Sequence, residues 1–290
     1  ADRYQRPMRA VWQGDGTKFY VVRQSRDLKR ADLCVVDIAS ATAKDLIVEE
    51  MNTSIEWQMP TLINGDKEII QWSERTGWAH LYRYNSDGEL LGAITEGQWH
   101  VSNVLGVDDA KRVIYFTATG YNKGEDPYYL HLFRVNYDGT GLKQLDPKDF
   151  CGDFSLSDDR RYFTTTYSRV DAAPVSELYT TDGRRVMTLE SVDLEPLFAM
   201  GYTYPERFVV KAADGITDLY GVMYKPYDFD PAKKYPIIEY VYPGPQTEAV
   251  EQVWYRPLVR TDRLAQLGFI VITVGNRGGH PDRSKWYHNY

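Results

Sequence analysis

The first two-thirds of this chain repeats itself, and the repeat restricts the fold more than any other feature. Four segments open on a tight turn and run into a strand. They are Gly14-Asp15-Gly16-Thr17-Lys18-Phe19-Tyr20, Asn64-Gly65-Asp66-Lys67-Glu68-Ile69-Ile70, Asp108-Asp109-Ala110-Lys111-Arg112-Val113-Ile114-Tyr115 and Ser157-Asp158-Asp159-Arg160-Arg161-Tyr162-Phe163. Gly, Asn and Asp suit such turns because they tolerate positive φ or close a local turn on their own backbone. A second strand follows each: Asp32-Leu33-Cys34-Val35-Val36, His80-Leu81-Tyr82-Arg83-Tyr84, His131-Leu132-Phe133-Arg134-Val135 and Glu177-Leu178-Tyr179-Thr180. The leucines at 33, 81, 132 and 178 are 48, 51 and 46 positions apart. That interval holds four short antiparallel strands, the size of one propeller blade. A β-sandwich with coincidental spacing is the alternative, but four copies with one internal order favour blades. With a first blade that begins so near Ala1, further blades are expected before it.

Composition agrees with a strand-rich fold. The 290 residues include 23 Tyr and 7 Trp, and such side chains pack well on a pleated surface. The net charge of −7, with both signs interspersed, argues against a nucleic-acid partner. No apolar run approaches the roughly 18 residues of a membrane helix; the longest, 236–242 and 269–274, have strand length. Cys34 and Cys151 form no Cys-x-x-Cys pair, so two separate buried thiols are expected, with a disulfide as the alternative. Ala1-Asp2-Arg3-Tyr4 opens without the charged and apolar stretches of a secretory leader, and in a chain that begins within a longer protein this says nothing about export.

Four further stretches carry a family resemblance. Trp72-Ser73-Glu74-Arg75-Thr76-Gly77-Trp78-Ala79-His80-Leu81-Tyr82 resembles a blade signature of the dipeptidyl peptidase IV branch of the prolyl oligopeptidase family, lacking one residue of its Trp-x-Ser-Glu-Arg pattern. Pro205-Glu206-Arg207-Phe208, Asp214-Gly215, Leu219-Tyr220-Gly221 and Lys225-Pro226 resemble that family's linker and first hydrolase hairpin. Tyr235-Pro236-Ile237-Ile238-Glu239-Tyr240-Val241-Tyr242-Pro243-Gly244-Pro245-Gln246 resembles its next strand and its Val-Tyr-x-Gly-Pro loop. Gly268-Phe269-Ile270-Val271-Ile272-Thr273-Val274-Gly275-Asn276-Arg277-Gly278-Gly279 resembles the strand and Arg-Gly turn that follow. The four stretches lie in the family's order.

The resemblance implies a mainly β chain: part of a β-propeller of about four blades over residues 1–194, then the N-terminal strands of an α/β-hydrolase domain over 195–290. It implies a serine exopeptidase that releases N-terminal dipeptides after proline or alanine, with the propeller gating and positioning the peptide. No cofactor or metal is implied. A periplasmic or secreted location, peptide substrates and a homodimer of the parent are in keeping with the family. No serine in the second half has glycines at −2 and +2, so the nucleophile elbow is missing, and the later acid and histidine with it. The chain is therefore expected to be a catalytically incomplete piece.

One catalytic element can be carried over by resemblance. Acyl transfer passes an oxyanion that needs preorganised donors, and in this family one is the tyrosine of the Val-Tyr-x-Gly-Pro loop, here Tyr242. Glu49-Glu50, the only adjacent glutamate pair, is read as solvated surface, since the family's amine-binding pair lies in an earlier Tyr-Glu-Glu stretch. His80 and His131, at equivalent blade positions, are read as structural. His100 is read as a surface turn residue, and His280 and His288 as flanking the terminal loop. Arg277 is expected to brace its loop against an acid. The polar insertion at 121–129 either lines a propeller mouth or is an exposed hairpin. Gly275-Asn276-Arg277-Gly278-Gly279 lacks the lysine and spacing of a phosphate loop. A stand-alone propeller binding module is the rival from a different class. The acylaminoacyl or prolyl oligopeptidase branch is the third reading, and the Ser-Glu-Arg signature leans away from it.

Overall fold

The structure, a computed structural model, describes residues 9–242, 244, 247–254 and 261–289. Sixteen strands form four successive four-stranded meanders, each strand lying beside the next in sequence. The first contains β1 (Val11–Trp12), β2 (Lys18–Gln24), β3 (Arg30–Asp37) and β4 (Thr42–Glu50). The second contains β5 (Thr61–Ile63), β6 (Glu68–Ser73), β7 (His80–Asn85) and β8 (Leu90–Ala93). The third contains β9 (His100–Asp108), β10 (Val113–Thr119), β11 (His131–Asn136) and β12 (Lys143–Gln144). The fourth contains β13 (Cys151–Leu156), β14 (Tyr162–Arg169), β15 (Ala172–Thr180) and β16 (Arg185–Ser191). The turn and strand repeats fall on the second and third strands of each meander, as their spacing predicts.

A fifth sheet is mixed. After α1 (Glu195–Ala199) come β17 (Glu206–Lys211), β18 (Asp218–Tyr224), β19 (Ile237–Glu239), α2 (Thr261–Ala265), β20 (Ile270–Val274) and α3 (Lys285–His288). Their order is β17-β18-β20-β19, with β18 antiparallel to both β17 and β20 and with β19 parallel to β20. The run expected as one strand over 236–242 is shorter, and β19 stands at the sheet edge with Ile237 62% exposed. Only β20, inside the sheet, has the buried alternation of a central strand. Both cysteines are free thiols. Burial pushes the Cys34 thiol up to about 12 and that of Cys151 up to about 11, which favours the protonated thiol at neutral pH.

The chain forms two compact units. One holds Ala1–Tyr121, Phe133–Lys143 and Ser284–Asn289; the other holds Asn122–Leu132 and Gln144–Arg283. In the first unit the period-two alternation of strands works on both faces of the second meander. Ile69, Tyr82 and Tyr84 face one way and pack with Tyr20, Val22, Leu33 and Ile47 of the first meander. Ile70, Trp72 and Leu81 face the other way and pack with Val101, Ile114, Phe116 and Phe133 of the third. Successive sheets thus stack face to face. Their turns are also tied together. The amide of Gly14 donates to Asp66 in the turn of the next repeat (2.6 Å), and that of Asn64 donates to Asp109 one repeat later (2.8 Å). The turn aspartates thus hold the preceding blade's turn.

In the second unit, the mixed sheet buries Val222, Tyr224 and Val271 with Ala265 of α2, Val250 and Val170. The fourth meander alternates cleanly: Phe163 and Thr165 are buried while Tyr162 and Thr164 are exposed. Leu178 lies opposite Thr164, on the exposed face, and is half-buried where Leu33, Leu81 and Leu132 are fully buried.

The repeated leucines should therefore differ in worth. Leu81→Ala is expected to cost about 2–5 kcal/mol of unfolding free energy in denaturant titrations, the range for emptying a packed site. Leu178→Ala should cost clearly less.

Candidate functional site

The Ser-Glu-Arg signature begins at the last residue of β6, and its Ser73 and Glu74 are buried. Glu74, the first residue beyond that strand, receives two partners, Lys285 and His288, from the far end of the same compact unit. His288 Nε2 lies 2.7 Å from Glu74 Oε1, and Lys285 Nζ lies 3.5 Å from Oε2. Lys285 Nζ also donates to the Ser54 carbonyl, and the Lys285 amide to the Gly77 carbonyl (2.8 Å). Ser284 caps the short α3 through its side chain. All three side chains are almost wholly out of solvent. The next signature residue, Arg75, lies over the Tyr82 ring at 4.2 Å and pairs with Glu49.

That ion pair corrects the reading of Glu49-Glu50 as a solvated pair. Neighbouring strand residues point to opposite faces, so only Glu50, paired with Arg30, is exposed; the Glu49 carboxylate is largely buried against Arg75. His100 is a second correction. It opens β9 as a buried residue, its ring edge-on to Trp72 at 5.9 Å. In the insertion at 121–129, Tyr121, Lys123 and Gly124 are exposed, and the end of the segment turns inward. Tyr128 and Tyr129 are buried, His280 stacks on Tyr128 at 3.9 Å, and Glu125 reaches inward to His131.

His80 and His131 occupy the same strand position and are both buried, yet they carry different chemistry. His80 sits between Thr95 Oγ1 (3.1 Å) and the Gly97 carbonyl (2.9 Å), and burial lowers its pKa. His131 sits between Asp146 (2.7 Å) and Glu125 (3.1 Å). Burial alone would lower its pKa too, but the two carboxylates overcome it and raise it to about 9. The repeat fixes the ring's place; the neighbours decide its charge.

Tyr242 lies in the second unit, on the loop that leaves the parallel strand β19. It is 53% exposed, so its phenol can meet a ligand. Its main-chain carbonyl accepts from Asn276 Nδ2 (3.4 Å), which belongs to the turn after β20. A Cβ at Gly244 would lie 3.1 Å from the Tyr242 ring, so the glycine of the Tyr-x-Gly motif makes room for the phenol. Pro243, Pro245 and Gln246 lie outside the described residues. Arg277, in the same turn as Asn276, pairs with Asp214 at 3.0 Å and so braces the β17–β18 hairpin, as expected. Asp214 also accepts from the amides of Ile216 and Thr217 and from the Thr217 hydroxyl, and these hydrogen bonds hold its carboxyl well below the usual range. Chemically, the loop offers one neutral hydrogen-bond donor at the end of a parallel strand, where open α/β sheets bind ligands. Among the described residues no group of three or more His, Cys, Asp or Glu side chains is arranged to hold a metal ion. No helix among them is long and apolar enough to cross a membrane.

Comparison with known proteins agrees on one relationship. Residues 3–174 match the family model described as the dipeptidyl peptidase IV (DPP IV) N-terminal region. Dipeptidyl peptidase 4 of Trichophyton tonsurans is 32% identical over 226 residues, covering 74% of this chain and 28% of the relative. Human dipeptidyl peptidase 8 is 31% identical over 252 residues, covering 73% and 27%. The crystal structure of a putative dipeptidyl aminopeptidase IV from Bacteroides ovatus superimposes with a TM-score of 0.84 at 27% identity, covering 99% of this chain and 43% of that one. Dipeptidyl peptidase 4 of Porphyromonas gingivalis, at 22% identity and a TM-score of 0.81, shares the fold. The chain thus spans under a third of these two curated relatives.

Two predictions follow from the buried charges. Glu74→Ala leaves a buried ammonium without its carboxylate and should cost about 3–5 kcal/mol. Hydrogen exchange should show the residue 285–289 amides losing protection first. For His131, the folded value of about 9 stands above the ordinary 6.5. Its contribution is therefore full below about 6.5 and lost as pH rises through about 9. Denaturant titrations from pH 6 to 10 should show that decline in the wild type and a shallower one in His131→Gln.

Proposed function

Since the chain belongs to the dipeptidyl peptidase IV family, we propose that it supplies the substrate-gating blades and the oxyanion-binding loop of a serine exopeptidase. The reaction is release of N-terminal dipeptides with proline or alanine in second place. The observation that carries this reading is the exposed Tyr242 phenol on the loop after β19, with Gly244 beneath its ring. The β19–α2–β20 unit, a parallel pair joined through a helix, supports assigning the mixed sheet to the opening of an α/β-hydrolase domain.

In this reading a serine outside residues 1–290 attacks the scissile carbonyl. The Tyr242 hydroxyl then donates to the developing oxyanion beside a backbone N–H adjoining that serine. A phenol suits the role because it donates a proton's share without bringing a competing charge. The blades restrict access by size and present the peptide's amino terminus to the nucleophile. A periplasmic or secreted location and a homodimeric parent complete the proposal.

The test is hydrolysis of a Gly-Pro chromogenic amide by the natural gene product that carries these residues. Tyr242→Phe is expected to lower kcat by about 10²–10³, the cost of one oxyanion donor, with KM little changed. Residues 1–290 alone should show no turnover. Full activity of the phenylalanine variant, or turnover by residues 1–290 alone, would refute the assignment.

A further inference from the structure

Tyr242 is held by a contact between two loops, and one carboxylate lies at its centre. Glu248, six residues on, folds back on its own loop: Oε1 accepts from the amides of Ala249 (2.8 Å) and Val250 (3.1 Å). Val250 is buried in the core with Val222, Ala265 and Val271, which anchors that end of the loop to the mixed sheet. The other oxygen, Oε2, is buried and has no hydrogen-bond partner among the described residues. It lies against the turn after β20, where a Cβ on Gly275 would approach it to 2.7 Å. That turn is itself fixed, because the Gly275 amide donates to the Tyr220 carbonyl of β18 (2.9 Å). One residue on, Asn276 donates to the Tyr242 carbonyl. Gly279 closes the same contact, its Cβ position 3.2 Å from the Thr247 carbonyl.

We propose that Glu248 is a positioning residue for Tyr242: it seats the tyrosine's loop against the Gly275–Asn276 turn and so fixes where the phenol donates. The inference rests on the oxyanion reading of Tyr242. Glycine at 275 follows from it, since any side chain there would displace the carboxylate. Catalytic donors lose much of their effect when displaced by about 1 Å, so a residue that touches no substrate can still set the rate. Burial pushes the Glu248 carboxyl above its ordinary range, which makes glutamine a fair mimic of it.

The experiment is a double-mutant cycle in the natural gene product, read with a Gly-Pro chromogenic amide. Glu248→Ala is expected to lower kcat by about 10–100-fold while KM stays within about threefold, the signature of a lost transition-state interaction. Glu248→Gln, which keeps an accepting oxygen, should restore most of the rate. Gly275→Ala, which displaces the carboxylate without removing it, should reproduce the kcat loss, and it serves as the second arm if Glu248→Ala does not fold. The deciding arm is Glu248→Ala in the Tyr242→Phe background. If Glu248 acts through the phenol, the second substitution lowers kcat by less than about threefold further. An undiminished loss in that background, or wild-type kinetics for Glu248→Ala and Gly275→Ala, overturns the inference while leaving the reading of Tyr242 intact. An inactive wild type, or Tyr242→Phe with full activity, overturns that reading and the inference with it.

Discussion

The first compact unit depends on a second meander that is apolar on both faces. A four-stranded meander has too little surface to bury its own side chains, so β6 and β7 are stable only between neighbours. Ile69, Tyr82 and Tyr84 need the first meander; Ile70, Trp72 and Leu81 need the third. The aspartate links between turns follow the same direction, each blade capping the turn amides of the one before. Stacking buries the apolar faces, and the turn hydrogen bonds link each sheet to the next.

On that scaffold the chain places charges where burial makes them selective. Glu74 is worth keeping because it binds two partners at once, and removing it strands both. His80 and His131 show the same logic in contrast. One repeat position holds a neutral ring among a hydroxyl and a carbonyl, and a charged ring between two carboxylates. The mixed sheet uses finer means. Two glycines, at 244 and 275, let a phenol and a carboxylate lie close against the backbone, and the loop that carries Tyr242 takes its shape from those contacts.

Much of the fold was legible in the sequence because turn chemistry and strand alternation are local. Each turn segment and the Tyr-x-Gly loop show within a dozen residues, and the leucine interval repeats them along the chain. What escaped depended on distance or on facing. The partners of Glu74 lie 211 and 214 positions later, so nothing near the signature reveals them. Glu49 and Glu50 look alike as a pair, but strand period two sends one inward to Arg75. His100 follows turn-like residues, yet it already belongs to β9. Leu178 keeps its place in the repeat but faces outward beside Thr164. The role of Glu248 was hidden because it acts through a turn that begins at Gly275.

The central claim is that these residues provide the gate and one oxyanion donor of a serine peptidase whose nucleophile lies elsewhere in the gene product. Labelling the natural gene product with a fluorophosphonate, followed by peptide mapping, tests it most directly. The account predicts stoichiometric modification of one serine outside residues 1–290, flanked by glycines at −2 and +2. A labelled serine within residues 1–290, or a gene product that takes up no label, would contradict it.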